Sequence, residues 1–290
     1  MNNSEQQVPS WRDKLATLPQ YLIPQHLLSL TMHKLANSNV TWFKSAFIHF
    51  IVSRYKVNVS EAAETDLSTY SSFNEFFTRK LAEGIRPIAE GDNIMTSPVD
   101  GAISQLGEIK KGNIIQAKGR DYTVLELLGG DTQLAKQFEQ GQFATIYLSP
   151  KDYHRIHMPL TGKLKAMRYI PGKLFSVNPR TARAVPKLFA RNERVVTVFE
   201  TAQGPVVMVL VGAIFVGSME TVWHGKITPP YIKKVKTWDY SGDSIKLEKG
   251  QEMGRFNMGS TVVILLPETM PKWRSDLCAE TIVRLGEAMM

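Results

Sequence analysis

From residue 87 onward, short β-branched runs alternate with Gly, Pro and Asp turns, and this rhythm limits the possible folds more than any other feature of the chain. The runs cover residues 103–106, 114–117, 143–148, 163–170, 195–199, 206–215, 244–247 and 261–266. They predict a mainly antiparallel β region, barrel-like or sandwich-like. Residues 124–128 and 132–138 read as short helices between strands. Upstream, residues 9–55 and 60–81 carry helical spacing instead. The expected fold class is therefore α+β, with a helical region over residues 1–85 and a β-rich domain over residues 86–290. The boundary is a change of texture, with no flexible linker to mark it.

The helical part is rich in aromatic and basic groups. Trp42, Phe43, Ala46, Phe47, Phe50, Ile51 and Arg54 recur at helical spacing, with Lys44 and His49 nearby. That composition suits an interfacial anchor, and equally a helix packed on its own domain or on a twin subunit. Ser71 and Ser72 precede Phe73, Phe76, Phe77 and Leu81, which fall on one helical face. The start of the chain lacks the basic and apolar regions of a signal peptide. No run approaches the roughly 20 apolar residues that span a bilayer, so any membrane attachment is expected to be peripheral. The formal net charge of +8 favours anionic partners: nucleic acid, anionic lipid or an acidic substrate. The lysines and arginines are scattered, without a nucleic-acid motif, so no nucleic-acid partner is expected. A lone cysteine, Cys278, excludes an internal disulfide and suits a reducing compartment.

Three polar stretches lie in the β region. Asp100 sits in Ser97-Pro98-Val99-Asp100-Gly101, a turn in which an Asp commonly bonds its own backbone. His154 and His157 sit three apart in Tyr153-His154-Arg155-Ile156-His157-Met158-Pro159. No Cys or carboxylate set completes a recognisable metal site around them, so no metal is expected, and each imidazole reads as structural or as an acid–base group. Gly259 and Ser260 sit in Phe256-Asn257-Met258-Gly259-Ser260-Thr261, just before a strong strand. Read alone, this is a strand-leading turn. An Asp, a His and a Ser can form a relay, but geometry identifies such relays, and Ser260 lacks the Gly-x-Ser-x-Gly pattern.

Together, these blocks resemble the bacterial phosphatidylserine decarboxylases. Phe76-Phe77-Thr78-Arg79 with Arg86-Pro87-Ile88, Tyr169-Ile170-Pro171-Gly172 running on to Asn178, and Phe189-Ala190-Arg191-Asn192-Glu193-Arg194 support the likeness. It covers residues 10–285. Met258 stands where the bacterial family usually has Leu, a volume-conserving change beside the Gly259-Ser260 pair.

The resemblance implies a precursor that builds its own cofactor. His157, oriented by Asp100, is expected to activate Ser260, since a serine hydroxyl is a poor nucleophile without a neighbouring base. Ser260 would attack the Gly259 carbonyl to form an ester, elimination would release the upstream chain as a carboxylate and leave a dehydroalanine, and hydrolysis of its imine tautomer would leave a pyruvoyl group at position 260 and free ammonia. The chain would part into a large fragment, residues 1–259, and a small one, residues 260–290. The pyruvoyl carbonyl would form a Schiff base with the amine of phosphatidylserine, carbon dioxide would leave, and phosphatidylethanolamine would be released. His154 is the expected acid–base group of the decarboxylation. The helical region then reads as a membrane-docking surface on the cytoplasmic side of the cell membrane, facing an anionic leaflet. A homodimer is implied by resemblance alone. Arg155, Lys173, Arg191 and Arg194 are the candidates for holding lipid phosphate, each with a solvated surface charge as its plain alternative. The rival functions are a serine hydrolase using Asp100, His157 and Ser260 on an intact chain, a non-enzymatic lipid- or nucleic-acid-binding module, and a self-maturing enzyme for another amino acid or head group.

Overall fold

A computed structural model describes residues 9–215, 218–257 and 261–290. Gly259 and Ser260, the expected cleavage pair, lie outside the described residues. The strands are β1 (Gly101–Glu108), β2 (Asn113–Ala117), β3 (Arg120–Thr123), β4 (Gln142–Tyr147), β5 (Arg155–His157), β6 (Gly162–Ile170), β7 (Arg194–Thr201), β8 (Gly204–Val211), β9 (Met219–Thr221), β10 (Gly225–Lys226), β11 (Lys236–Asp239), β12 (Lys246–Leu247), β13 (Glu252–Phe256), β14 (Thr261–Leu266) and β15 (Ile282–Val283). Nine of them form one sheet in the order β11-β6-β7-β8-β14-β4-β1-β15, with β12 also on β6. Four more form a second sheet, β10-β9-β13-β5, and β2 pairs with β3. Every pairing between these strands is antiparallel, as the run-and-turn rhythm predicts. The large sheet is open, not a closed barrel, because β11 and β15 end it on opposite sides.

Both faces of that sheet are covered, which explains why its central strands are continuous apolar runs. On β14, Val262, Ile264 and Leu266 enter one core, while Val263 and Leu265 enter the other. On β8 the same alternation sends Val206, Met208 and Leu210 one way and Val207, Val209 and Val211 the other. β14 is hydrogen-bonded on one side to β8 and on the other to β4.

The N-terminal region folds as α1 (Trp11–Thr17), α2 (Pro19–Leu22), α3 (Gln25–Ala36), α4 (Thr41–Tyr55) and α5 (Phe73–Phe77). Ser10 and Asp13 form a capping box on α1. A third core, built on Ile48, Ile51, Phe73, Phe76 and Phe77, joins α4 to α5. Phe47 stacks on Phe73 with ring centroids 4.0 Å apart. Lys44, expected among the basic groups of an interfacial helix, is instead buried, with its ammonium directed at the carbonyls of Ser68 and Tyr70. The helical section expected over residues 60–81 is shorter than its pattern: Ser72 caps α5, and Leu81 instead bridges Ala62. Polar contacts bind this region to the sheets. Asp13 pairs with Arg183, and the Gln25 side chain accepts from the Leu174 backbone N–H at 2.8 Å. No helix among the described residues is long and apolar enough to cross a membrane.

Because β14 has no solvent-facing side, Leu265→Ala should cost about 2–5 kcal/mol of stability. Denaturant unfolding of the purified protein measures this directly.

Candidate active site

Among the described residues, Asp100, His154 and His157 gather where the two sheets meet. β13 runs antiparallel to β5, and Glu252 is registered opposite His157. β13 ends at Phe256 in the second sheet, and β14 begins at Thr261 in the large one. The Phe256 backbone N–H donates to the His154 carbonyl at 3.1 Å, which fixes the histidine segment against the end of β13. Asn257 closes a further bracket. Its backbone N–H donates to Ser218 O, its side-chain amide to Ser218 Oγ at 2.7 Å, and Asn74 from α5 donates to its Oδ1 at 3.3 Å.

His157 is held at both ring nitrogens. Nδ1 lies 2.7 Å from the Gly250 carbonyl, and Nε2 lies 3.1 Å from the Tyr153 hydroxyl. A carbonyl only accepts, so in the neutral ring Nδ1 carries the proton and Nε2 presents a lone pair to the Tyr153 O–H. Gly250 has φ +82°, a left-handed conformation suited to glycine, and that turn aims its carbonyl at the ring. Burial lowers the His157 pKa below the usual histidine value. The Gly250 hydrogen bond and the charges of Glu252 and Asp100 oppose that shift. Burial raises the pKa of the Tyr153 phenol, so it serves as a neutral hydrogen-bond donor.

Asp100 lies close by, because the His157 backbone N–H donates to the Pro98 carbonyl at 2.9 Å. Its carboxylate is directed elsewhere, however. Arg86 grips it through Nε at 3.0 Å and Nη2 at 2.6 Å, and the Leu285 backbone N–H donates to Oδ1 at 2.8 Å. Arg86 Nη2 also reaches Glu61 at 2.6 Å. Two-point guanidinium–carboxylate bonds are strong and directional, which explains why Asp100 faces Arg86 in place of His157. Asp100 acts on His157 here through charge, while Gly250 and Tyr153 orient the ring. Gly101 follows because a Cβ there would lie 2.5 Å from the Tyr147 carbonyl oxygen.

His154 is fully buried. Its Nδ1 is 2.8 Å from the Asp152 carbonyl, and the Phe77 ring lies over it with centroids 4.1 Å apart. Nε2 is buried and has no hydrogen-bond partner among the described residues. Burial pushes the His154 pKa down to about 3, so the resting imidazole is neutral. Phe77 also lines a cleft of about 550 Å³, with Gln20, Ile23, Tyr147, Asn178 and Ile214 in its walls. Tyr147 is the register partner of Thr261, so the cleft reaches the start of β14.

Two of the four candidate phosphate ligands are structural. Arg155 binds the Thr78 carbonyl at 2.8 Å and Glu252 at 2.7 Å. Arg194 is buried on the carbonyls of Leu127, Asn192 and Glu126. Phe77 and Arg86 belong to blocks already singled out by their motifs, but no spacing rule assigned them these contacts. Tyr153, directly before His154, carried only its proximity as a signal. No cluster of three or more potential metal-ligating side chains occurs among the described residues.

Fold and site together define an antiparallel α+β scaffold with one fully buried and one half-buried histidine beside an apolar cleft. The family model for phosphatidylserine decarboxylase matches residues 73–290, and a second model, described as PSD, matches residues 15–56. A phosphatidylserine decarboxylase proenzyme of Shewanella putrefaciens is 55% identical over 280 residues, covering 95% of this chain and 97% of the relative. The proenzyme of the same name from Dechloromonas aromatica is 54% identical over 277 residues, covering 96% and 98%. That from Marinobacter nauticus is 55% identical over 278 residues, covering 95% and 97%. The chain belongs to the phosphatidylserine decarboxylase family.

The depressed pKa of His154 has a consequence for stability. The unfolded chain takes up this proton near pH 6.5 and the folded chain only near pH 3, so stability falls progressively as acid is added across that interval. A His154→Asn chain should show a shallower loss of its urea midpoint below pH 6.5 than the parent.

Proposed function

We propose that this chain is a precursor that breaks its own Gly259-Ser260 bond and then decarboxylates phosphatidylserine to phosphatidylethanolamine and carbon dioxide. The observation that carries this reading is the family match, which extends over nearly the whole chain and includes relatives named as proenzymes. The same match disfavours a serine hydrolase acting with an intact chain.

In the maturation step, the Nε2 lone pair of His157 is the proton acceptor for the Ser260 hydroxyl. Tyr153 now occupies that lone pair, so its hydroxyl either yields the position or passes the proton on. Asp100 stabilises the imidazolium by charge, and Arg86 holds Asp100 in place. As the Ser260 oxygen bonds to the Gly259 carbonyl carbon, the peptide nitrogen takes the proton and the amide becomes an ester. β14 keeps the new terminus in the sheet after the chain parts.

Two buried polar atoms, one on Thr261 next in sequence to position 260 and one on His154, are left to hold a small polar group. His154 Nε2 and Thr261 Oγ1 are both buried polar atoms without a partner among the described residues. A pyruvoyl group there supplies an electrophilic carbonyl for the substrate amine and a sink for the electrons released with carbon dioxide. Phe77 and the apolar cleft walls exclude water from this region. Neutral His154 is no proton donor at rest. A substrate carboxylate placed beside it raises its proton affinity, so that it can take up a proton and return it to the carbon that lost the carboxylate.

The substrate stays in a bilayer, and the helical region suits peripheral binding there. Trp11, Leu22, Leu27, Trp42 and Phe50 are each 60% or more exposed, an unusual concentration of bare apolar side chains. The reading places the protein at an anionic leaflet on the cytoplasmic side of the cell membrane, with a twin subunit implied by family resemblance.

Ser260→Ala should abolish both cleavage and carbon dioxide release, as read on denaturing gels and with carboxyl-labelled phosphatidylserine. The intact mass of the small fragment should show a blocked pyruvoyl start at position 260; a free serine start indicates simple hydrolysis, and an unsplit but fully active parent chain refutes the reading. His157→Ala and Asp100→Asn should each slow self-cleavage by about a hundredfold or more. Normal processing in either variant removes that residue from its assigned role.

A further inference from the structure

A second cleft, of about 370 Å³, lies beside the catalytic one and has a different character. Its walls include His26, Lys173 and Arg191 and contain no acidic residue. The Lys173 side chain is exposed and makes no ion pair or hydrogen bond among the described residues. Arg191 meets no carboxylate among the described residues, and its Nη1 has only the Pro186 carbonyl at 3.5 Å. Its guanidinium lies over two rings, 5.7 Å from the centroid of Tyr21 and 5.1 Å from that of Phe175. Those rings limit how the planar group can turn, which favours two-point contact with an oxyanion.

The rim of this cleft is apolar. Tyr21 is 47% exposed and Leu27 62%, and Leu22, which follows Tyr21 in the chain without lining the cleft, is 87% exposed. Two unpaired cations within a ring of bare apolar side chains match the chemistry of a lipid at the level of its phosphate, with hydrocarbon below and charge above. The cleft is also partitioned from the catalytic one. Gln20 and Ile23 line both, and the Gln20 amide is tied to the Ser176 backbone N–H at 2.8 Å and to Thr181 Oγ1 at 3.3 Å. Phe77, Tyr147 and the histidine pair are absent from the walls of the basic cleft.

We propose that Lys173 and Arg191 form a binding site for the phosphodiester of an anionic bilayer phospholipid that is not the molecule undergoing reaction. This rests on the proposed membrane function and adds a headgroup contact to it. The bound lipid sets the protein on the bilayer while phosphatidylserine enters the neighbouring cleft. A structure-only role for Arg191, as a cap on Tyr21 and Phe175, leaves Lys173 unexplained.

The test uses the full chain and sedimentation with vesicles of phosphatidylcholine, with and without phosphatidylglycerol. The parent protein should prefer the phosphatidylglycerol vesicles. Lys173→Gln combined with Arg191→Gln should reduce that preference about tenfold. Complete self-cleavage and unchanged turnover of phosphatidylserine dispersed in neutral detergent should accompany the loss. A control lacking the same number of charges, Lys246→Gln with Lys272→Gln, should keep the preference. If the double variant keeps its preference while the parent binds vesicles normally, the site is refuted and the membrane reading stands. If the control loses as much as the double variant, general charge attraction replaces the site. A raised KM in detergent with the preference intact makes the cleft a substrate subsite and also overturns the proposal. If the parent binds neither vesicle, the membrane reading itself falls.

Discussion

A strand with no free side adjoins the bond proposed to break. β14 is hydrogen-bonded along both edges, and its alternate side chains fill two separate cores. Just upstream, Asn257 is fixed by Ser218 and Asn74. Chemistry at position 260 is thus confined between two anchored points. Anchors on either side of it would lower the entropic barrier to the proposed attack of the chain on itself. It also means that the sheet does not depend on the broken bond, since the contacts of β14 all lie downstream of it.

Burial also sets the two histidines apart. Both rings are pushed toward the neutral form, chiefly by desolvation. His157 keeps two hydrogen-bond partners and neighbouring negative charge, and the Gly250 bond and that charge oppose the push. His154 has one partner and an aromatic lid, so its proton affinity waits on whatever anion arrives. Three residues of separation are enough for this contrast, because His157 lies on β5 with Gly250 facing it while His154 precedes the strand.

Much of this architecture was legible beforehand, and the exceptions have physical causes. Long β-branched runs such as residues 206–211 and 261–266 announce themselves, because strands buried on both faces need apolar residues at every position. β5 is Arg-Ile-His, too short and too polar to show a period of two, so the second sheet was invisible although it carries His157. Lys44 followed the composition of an interfacial helix, but carbonyls at the ends of a distant turn drew it inward. Asp100, His154 and His157 were identifiable by type and motif. The grip of Arg86 and Leu285 on Asp100, and that of Tyr153 on His157, depends on long-range packing that no local spacing encodes. Among the possible phosphate ligands, only burial separates the structural Arg155 and Arg194 from the unpaired Lys173 and Arg191.

The C-terminal segment enters the large sheet twice. β14 takes a central place in it, and β15 closes its edge beside β1, next to the Leu285 N–H that holds Asp100. Under the proposed cleavage, a fragment beginning at position 260 would hold two separate places in the sheet and would help to shape the carboxylate proposed to assist its release. Such a fragment cannot be exchanged for another copy unless the sheet comes apart. Matured molecules made from two differently labelled precursors, once mixed, would hold no hybrids: each small fragment would remain for life with the large fragment from which it was cut.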